Sequence, residues 1–205
     1  WILKLQGDET VSVNPSLVTG STVEYTATSG TRAIKNWTYT NAIVKINGIG
    51  GIFTLPGNLT ALHLDVNAGT LAATNQTITI NGDVTIGASG VLTSTSGNSS
   101  ILGKFSNSGT FTHNSGTVIF TGTEGVKTVD SGGNSFHHFS HTGAGTIQFI
   151  NNPVIVGGNL SNSNGKIDLN GQNLTVTGTF TNSAGLQLTG DETVSTPTLN
   201  GGSVT

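Results

Sequence analysis

Residues 77–92 read TITINGDVTIGASGVL, and apolar side chains occupy every second position until a pair of turn residues interrupts them. This alternation is the period of a half-buried β-strand. The Asn81-Gly82 pair predicts a sharp corner, since both residue types tolerate a positive φ. Further alternating segments and Asn-Gly or Ser-Gly pairs follow, with turns about every 8 to 12 residues, a spacing typical of a sandwich, a barrel or a solenoid.

The composition supports an all-β chain. Charged residues make up 8% of the 205 residues and glycine contributes 30 of them, against roughly 25% charged residues and about 7% glycine in an average soluble domain. Such a chain is a poor helix former and favours short strands joined by tight turns. An all-α fold is excluded.

Internal repeats separate the remaining architectures. Residues 21–31 resemble 116–126 at an offset of 95, and residues 77–92 resemble 173–186 with Gly82 and Gly178 at an offset of 96. The segment LKLQGDETVS at 3–12 returns as LQLTGDETVS at 186–195, an offset of 183. A closed sandwich is not lengthened by a repeated module, whereas a solenoid extends by adding coils.

The repeats therefore predict one continuous parallel β-solenoid over residues 1–205. Residues 1–20 end a preceding repeat, 21–115 form a first module, and 116–205 form a second that runs into a third. Coils of roughly 20 to 24 residues would give about nine turns and a rod of about 45 Å. We expect seven phenylalanines to be the large members of the stacked core: Phe105, Phe111, Phe120, Phe136, Phe139, Phe149 and Phe180.

Several motifs carry a family resemblance. They include Ser108-Gly109-Thr110-Phe111, Gly116-Thr117-Val118, Gly158-Asn159-Leu160 and Leu169-Asn170-Gly171, with Phe136 and Gly145-Thr146 between them. Together they resemble the β-strand-repeat surface proteins of bacteria, a group that includes filamentous-haemagglutinin-like and autotransporter-like solenoids. The resemblance covers most of residues 60–190 and implies stalks, adhesins or filaments that share no common site.

Charge and composition exclude several partners. The chain has seven Lys and Arg residues, a net charge of −3 and no cysteine. Scattered cations do not track a phosphate backbone, so nucleic acid and anionic membrane surfaces are not expected partners. No apolar run approaches the roughly 18 residues of a membrane-spanning helix. Because the chain begins at Trp1, we interpret it as a piece of a longer protein.

Two sets of residues suggest metal ligands. His137, His138 and His141 cluster in sequence, but we expect adjacent side chains on a strand to point to opposite faces, and a zinc site needs three or four convergent ligands. His63 and His113 are isolated and are expected to be exposed. Asp8-Glu9 and Asp191-Glu192 lie in Gly-Asp-Glu-Thr turns that suggest calcium, although each turn offers only two adjacent carboxylates. We predict neither a metal nor any other cofactor.

Catalysis and ice binding are the other specific hypotheses. Polysaccharide lyases and hydrolases on β-helices need paired carboxylates or a calcium beside a basic residue, whereas the acidic residues here are scattered and Arg32 is the sole arginine. We therefore predict that the chain is not an enzyme. Thr-x-Thr pairs, such as Thr77/Thr79 and Thr179/Thr181, suggest ice binding, but their spacing in sequence is irregular and β-propensity also explains them.

Trp37 and Tyr39 form the one candidate ligand strip. They are expected to share a face of a strand and either stack on a sugar ring or cap the core, and the cap is the favoured interpretation. Six N-x-S/T sequons matter only if the host glycosylates exported proteins. They begin at Asn36, Asn58, Asn75, Asn98, Asn159 and Asn173.

The expected function is structural: a repeat segment of a long exported, extracellular or cell-surface fibre or stalk. Its partners would be adjacent repeats of the same chain or copies of itself, since head-to-tail contact covers open strand edges. The alternative is an adhesin module that binds a glycan or host surface through residues 31–53, the stretch least like the repeats.

Overall fold

The structure, a computed structural model, describes residues 1–201 and the backbone of 203 and 204. Within this part of the chain there is no helix, and short alternating segments form the strands, as the sequence predicts. The strands are β1 (Ile2–Leu5), β2 (Ser21–Tyr25), β3 (Thr31–Ala33), β4 (Tyr39–Thr54), β5 (Leu59–Ala72), β6 (Ile78–Ile80), β7 (Val84–Thr93), β8 (Asn98–Ile101), β9 (Phe105–Asn107), β10 (Thr110–Thr112), β11 (Thr117–Phe120), β12 (Val126–Asp130), β13 (His138–His141), β14 (Thr146–Phe149), β15 (Val154–Val156), β16 (Leu160–Asn162), β17 (Lys166–Asp168), β18 (Leu174–Val176), β19 (Thr179–Asn182), β20 (Gly185–Gln187), β21 (Val194–Ser195), β22 (Thr198–Asn200) and β23 (Ser203–Val204).

The strands pair in parallel and join one coil to the next, which is the parallel β-solenoid that the repeats predict. Paired residues are 20 or 21 positions apart in most coils, as in Leu64↔Val84 and Val84↔Phe105, and 24 apart at Phe105↔Val129. The chain makes about 10 turns, one more than expected. At about 4.8 Å a turn the rod is about 48 Å long.

The strands lie on three faces of the rod. Face A consists of the start of β5 and of β6, β8, β11, β13, β16, β19 and β22. Face B consists of β1, β2, residues 42–46 and 64–66, the start of β7, and β9, β12, β14, β17, β20 and β23. Face C begins with β3, residues 52–54, 70–72 and 91–93, and β10. The sheet of β15, β18 and β21 continues beyond it.

The core lies between the three faces and is built from stacked columns of side chains. All seven predicted phenylalanines are buried, none more than 6% exposed. The rings of Phe105, Phe111 and Phe136 contact one another, and Phe136 also contacts Phe139. The ring centroids in these contacts are 5.3 to 5.6 Å apart. Such edge-on aromatic contacts add to the apolar area that each ring removes from water.

Only the longest repeat is in phase with the coils. The matched segments at offset 183 lie in β1 and β20, both on face B and nine coils apart. By contrast, β2 lies on face B and its match β11 on face A, so the offset of 95 is not a whole number of turns.

Glycines at the corners serve two purposes. In three of the five Asn-Gly pairs the glycine has a positive φ, as at Gly171 with φ 81. Gly48 and Gly82 do not, contrary to the expectation from their Asn-Gly pairs. A Cβ at Gly82 would lie 2.5 Å from the His63 ring, so that glycine is needed for close approach between coils.

Candidate functional site

Tyr39, one of the two members of the predicted strip, belongs to a closed hydrogen-bond circuit with Tyr25 and Lys35. The Lys35 N–H donates to Tyr25 Oη (2.8 Å), and Tyr39 Oη donates to the Lys35 carbonyl (2.8 Å). The two phenolic oxygens are 2.7 Å apart. Since the Tyr39 proton is used at Lys35, Tyr25 donates to Tyr39, and every polar group in the circuit has a partner.

Burial separates the two members of the strip. Tyr39 is 1% exposed and belongs to the core, so its ring is not available to a ligand. Trp37 is half-buried, packs against the core and lies 6.3 Å from Tyr39 between ring centroids. Trp37 therefore covers part of the core, and it is the one member of the strip able to contact a ligand.

A shallow cleft lies beside Trp37 and encloses about 10 Å³, room for about one water molecule. Asn36, Pro56, Gly57 and Asn58 contribute to its rim. Pockets that hold small ligands usually exceed about 300 Å³, so the cleft does not enclose a ligand, and a ligand would have to lie against Trp37 at the surface.

His63 and His138 each connect one coil to the next. His63 Nδ1 accepts the Asp83 N–H (2.8 Å), and Asp83 Oδ1 accepts the N–H of Lys104 (2.8 Å) one coil further on. His138 Nδ1 accepts the Asn159 N–H (2.9 Å), and Asn159 Oδ1 accepts that of Thr179 (3.0 Å). These side chains therefore satisfy backbone donors at the corners.

A row of three histidine rings forms where the sequence predicted opposite orientations. The ring centroids of His137 and His138 are 4.3 Å apart, and those of His113 and His137 are 5.2 Å apart. His137 and His138 thus share one side of the backbone. Among the described residues no group of three His, Asp or Glu side chains is arranged to hold a metal ion.

His141 points the other way, into the core, and begins a buried polar column. His141 Nδ1 lies 3.0 Å from Asn162 Oδ1, and Asn162 Nδ2 donates to Asn182 Oδ1 (2.8 Å). All three residues are fully buried. His141 Nε2 and Asn182 Nδ2 have no partner among the described residues. Burial lowers the pKa of His141, since a second ring proton would have no acceptor there.

The Glu192 turn satisfies its carboxylate with backbone donors. Glu192 Oε1 accepts the N–H groups of Thr189 (2.8 Å) and Gly171 (2.7 Å), and Oε2 accepts that of Gly190 (2.7 Å). These bonds, with Thr189 and then Gly171 foremost, lower the pKa of Glu192 to about 2. Because the carboxylate already has these donors, its position is explained without calcium.

The Glu9 turn has the same internal bonds. Glu9 Oε1 accepts the Gln6 N–H, and Oε2 accepts the Gly7 N–H (2.9 Å). Asp8 pairs with Arg32 on the next coil at 3.3 Å. The Lys35 ammonium donates to the carbonyl oxygens of Gly7 (3.2 Å) and Glu9 (2.5 Å), so the following coil is tied to this turn.

Most charged side chains of the strands lie on face B, which the sequence did not indicate. Lys4, Glu24, Lys45 and Asp65 are register partners on successive coils, so their charges alternate in sign along the rod. Lys4 Nζ lies 3.3 Å from Glu24 Oε2. Burial raises the pKa of Asp65, which the charges of Lys45 and His63 counteract. This column joins coils by charge pairing.

The described strands of faces A and C carry few charges. One outward column of face A consists almost entirely of hydroxyl and amide residues, namely Thr60, Thr79, Ser100, Ile119, Ser140, Ser161, Thr181 and Asn200. Coil packing therefore aligns Thr79 and Thr181, although the spacing of the Thr-x-Thr pairs in sequence is irregular. Other pairs, such as Thr121/Thr123, lie in corners.

The six sequon asparagines are all exposed. Four of them also bond to the next coil: Asn58 Oδ1 accepts the Thr77 N–H, Asn159 Oδ1 that of Thr179, and Asn173 Oδ1 that of Thr193. Asn75 Oδ1 accepts the Ser96 hydroxyl (3.2 Å). These asparagines therefore have a structural role that needs no glycan.

Tyr25 and the Asn162–Asn182 pair are residues that the sequence reasoning missed. Tyr25 stands in an ordinary alternating strand, and its hydrogen-bond partner Tyr39 lies on another face of the coil. Asn162 and Asn182 occupy apolar positions of the alternation on successive coils, and the recurrence of asparagine one coil later was the available signal.

The part of the chain that the structure describes has no helical segment that could span a membrane. Comparison of the chain with protein-family models, curated proteins and solved structures gave no match.

Proposed function

We propose that the chain is a structural repeat segment of a long exported fibre or stalk. The observation that carries the proposal is the offset of 183 between Leu3 and Leu186, which equals nine coils on one face. A tandem repeat of that length therefore continues the solenoid in phase. Coil stacking pairs each backbone edge with the next coil and needs no other element.

The first coil supports association at the ends. Four apolar residues there are exposed by more than half: Trp1 (55%), Ile2 (62%), Val13 (76%) and Val18 (54%). A neighbouring coil would remove this apolar area from water and would also cover the open edge of β1. Adjacent repeats or copies of the chain are therefore its partners, and the setting is extracellular, in keeping with the bacterial surface proteins that the sequence resembles.

Electron microscopy of the purified chain over a concentration series tests the proposal. Unbranched fibres are expected, with an axial repeat equal to the length of one chain, because open ends associate in head-to-tail fashion. A chain that remains as dispersed short rods at every concentration does not assemble by itself, and the fibre role would then require covalent continuation.

The second candidate is an adhesin module, favoured by half-buried Trp37 beside its cleft. A half-buried indole next to the amide side chains of Asn36 and Asn58 suits a sugar ring, which stacks on an aromatic face. Saturable glycan binding that Trp37→Ala abolishes, and that Thr79→Ala on face A leaves intact, would favour this function. The absence of any glycan binding across a broad panel would remove it.

A further inference from the structure

The two Gly-Asp-Glu-Thr turns have the same internal structure. Glu9 accepts the N–H groups of Gln6 and Gly7, and Glu192 accepts those of Thr189 and Gly190, so each donor recurs at the offset of 183. Equal side-chain bonds at equal offsets mean that the turns are equivalent in conformation as well as in sequence.

Their neighbours differ. The Glu192 turn contacts the preceding coil: Gly171 N–H donates to Glu192 (2.7 Å), and Thr193 N–H donates to Asn173 Oδ1 (2.8 Å). The Glu9 turn contacts the following coil, through Asp8 with Arg32 and through Lys35. Each turn therefore displays one half of a complete environment.

Burial follows the same division. Glu192 is 9% exposed beneath the preceding coil, whereas Glu9 is only half-buried. Val194 pairs with Leu174 of the preceding coil and is half-buried, and its equivalent Val11 is 37% exposed. The surface around Glu9 and Val11 thus has the chemistry of a face that another coil covers at residues 192–194.

We propose that the surface formed by Glu9, Thr10 and Val11 is a docking site for a coil with the sequence of residues 166–185, supplied by a preceding repeat of the same polypeptide. The glycine N–H equivalent to Gly171 donates to Glu9, and the asparagine equivalent to Asn173 accepts the Thr10 N–H. This inference rests on the proposed role as a tandem repeat and specifies its junction.

An extended chain tests the junction. Residues 166–185 are placed ahead of residue 3, so that the added Gly185 precedes Leu3 as it precedes Leu186 in the native chain. Hydrogen exchange of the added copy of the Gly171 N–H, and the pKa of Glu9 measured by NMR, report whether the added coil seats.

The expected result is a protected glycine N–H and a Glu9 pKa that falls towards the value of about 2 held by Glu192. Glu9→Gln should then lower the protection of that N–H at least about tenfold, since a charge-assisted bond is lost. The control Asp8→Asn, which faces Arg32 on the other side, should leave the protection unchanged.

Two outcomes overturn the proposal. One is an added coil that exchanges freely and leaves the Glu9 pKa where it was. The other is protection that rises with protein concentration and is absent from the dilute chain, which would locate the contact between separate polypeptides. Neither outcome depends on fibre formation by the original chain, so the result is distinguishable from failure of the proposed function.

Discussion

Tyr25 Oη and Tyr39 Oη lie 2.7 Å apart in the core, on strands of two different faces. Their shared hydrogen bond continues into the Lys35 backbone on both sides. Because Lys35 lies between β3 and β4 and bonds to both hydroxyls, this circuit fixes the path of the chain beneath Trp37.

Tyr39→Phe is expected to destabilise the protein by about 1 to 3 kcal/mol, because it leaves the Lys35 carbonyl without its donor. Urea unfolding followed by circular dichroism measures the change. Tyr25→Phe and the double variant complete a cycle, and the two losses should not add, since the hydroxyls share one bond. Additive losses would mean that the circuit does not act as a unit.

Alkaline pH should weaken the same circuit. Burial, the largest influence, raises the pKa of Tyr25 to about 12 from its ordinary 10.0. The unfolded chain therefore loses its proton first, and stability falls as pH rises from 10 towards 12. Tyr25→Phe should reduce this dependence, and a stability that is flat above pH 10 would contradict it.

Mild acid should act through His141. Burial lowers the pKa of His141 below 6.5, so the unfolded state takes up a proton before the folded state does. Stability is then lost as pH falls below 6.5 towards the folded pKa. Thermal unfolding between pH 7.5 and 5 measures the loss, and His141→Phe should flatten it, while His137→Gln outside the core should not.

Stronger acid should act through Glu192. Its pKa of about 2 lies below the ordinary 4.5, so its contribution to stability is present above pH 4.5 and disappears as pH falls through 2. Glu192→Gln should remove this part of the acid transition and expose the Gly171 N–H to exchange. Asp191→Asn, in the same turn but exposed, is the control; equal effects of both variants would count against the assignment.

Close packing of successive coils should make some glycines irreplaceable. A Cβ at Gly90 would lie 1.8 Å from the Val66 carbonyl oxygen, whereas one at Gly97 would meet nothing closer than 3.5 Å. Neither glycine has a positive φ. Gly90→Ala should cost about 3 kcal/mol, as overpacking does at its upper range, and Gly97→Ala less than about 1 kcal/mol. Similar costs at both sites would refute the role of close approach.

The strand pattern was predictable because alternation and turn residues act over a few positions. The phenylalanines of the core follow from it, since a side chain at an apolar position of a solenoid strand has only the interior to enter. The number of turns was underestimated by one because most coils lie at the short end of the expected range, with pairs such as Leu64↔Val84 close together in the chain.

The orientation of the histidines was harder to predict. Strand periodicity places His137 and His138 on opposite sides, but His137 lies just outside β13, where the backbone turns, and both rings lie together. The offset of 95 shows the same dependence on coil length: similar residues recur in β2 and β11, and the coil length places them on different faces.

The parallel solenoid, its strands and its apolar core could all be predicted from the amino-acid sequence, because they depend on local periodicity and on internal repeats. The contacts between coils emerged only on folding: the Tyr25–Tyr39 circuit, the His141–Asn162–Asn182 column, the charges on face B and the Gly171 donor of Glu192. They could not be read earlier because the register between coils is set by the packing of every coil on the last. A shift of one position in that register moves each side chain to the opposite side of its strand.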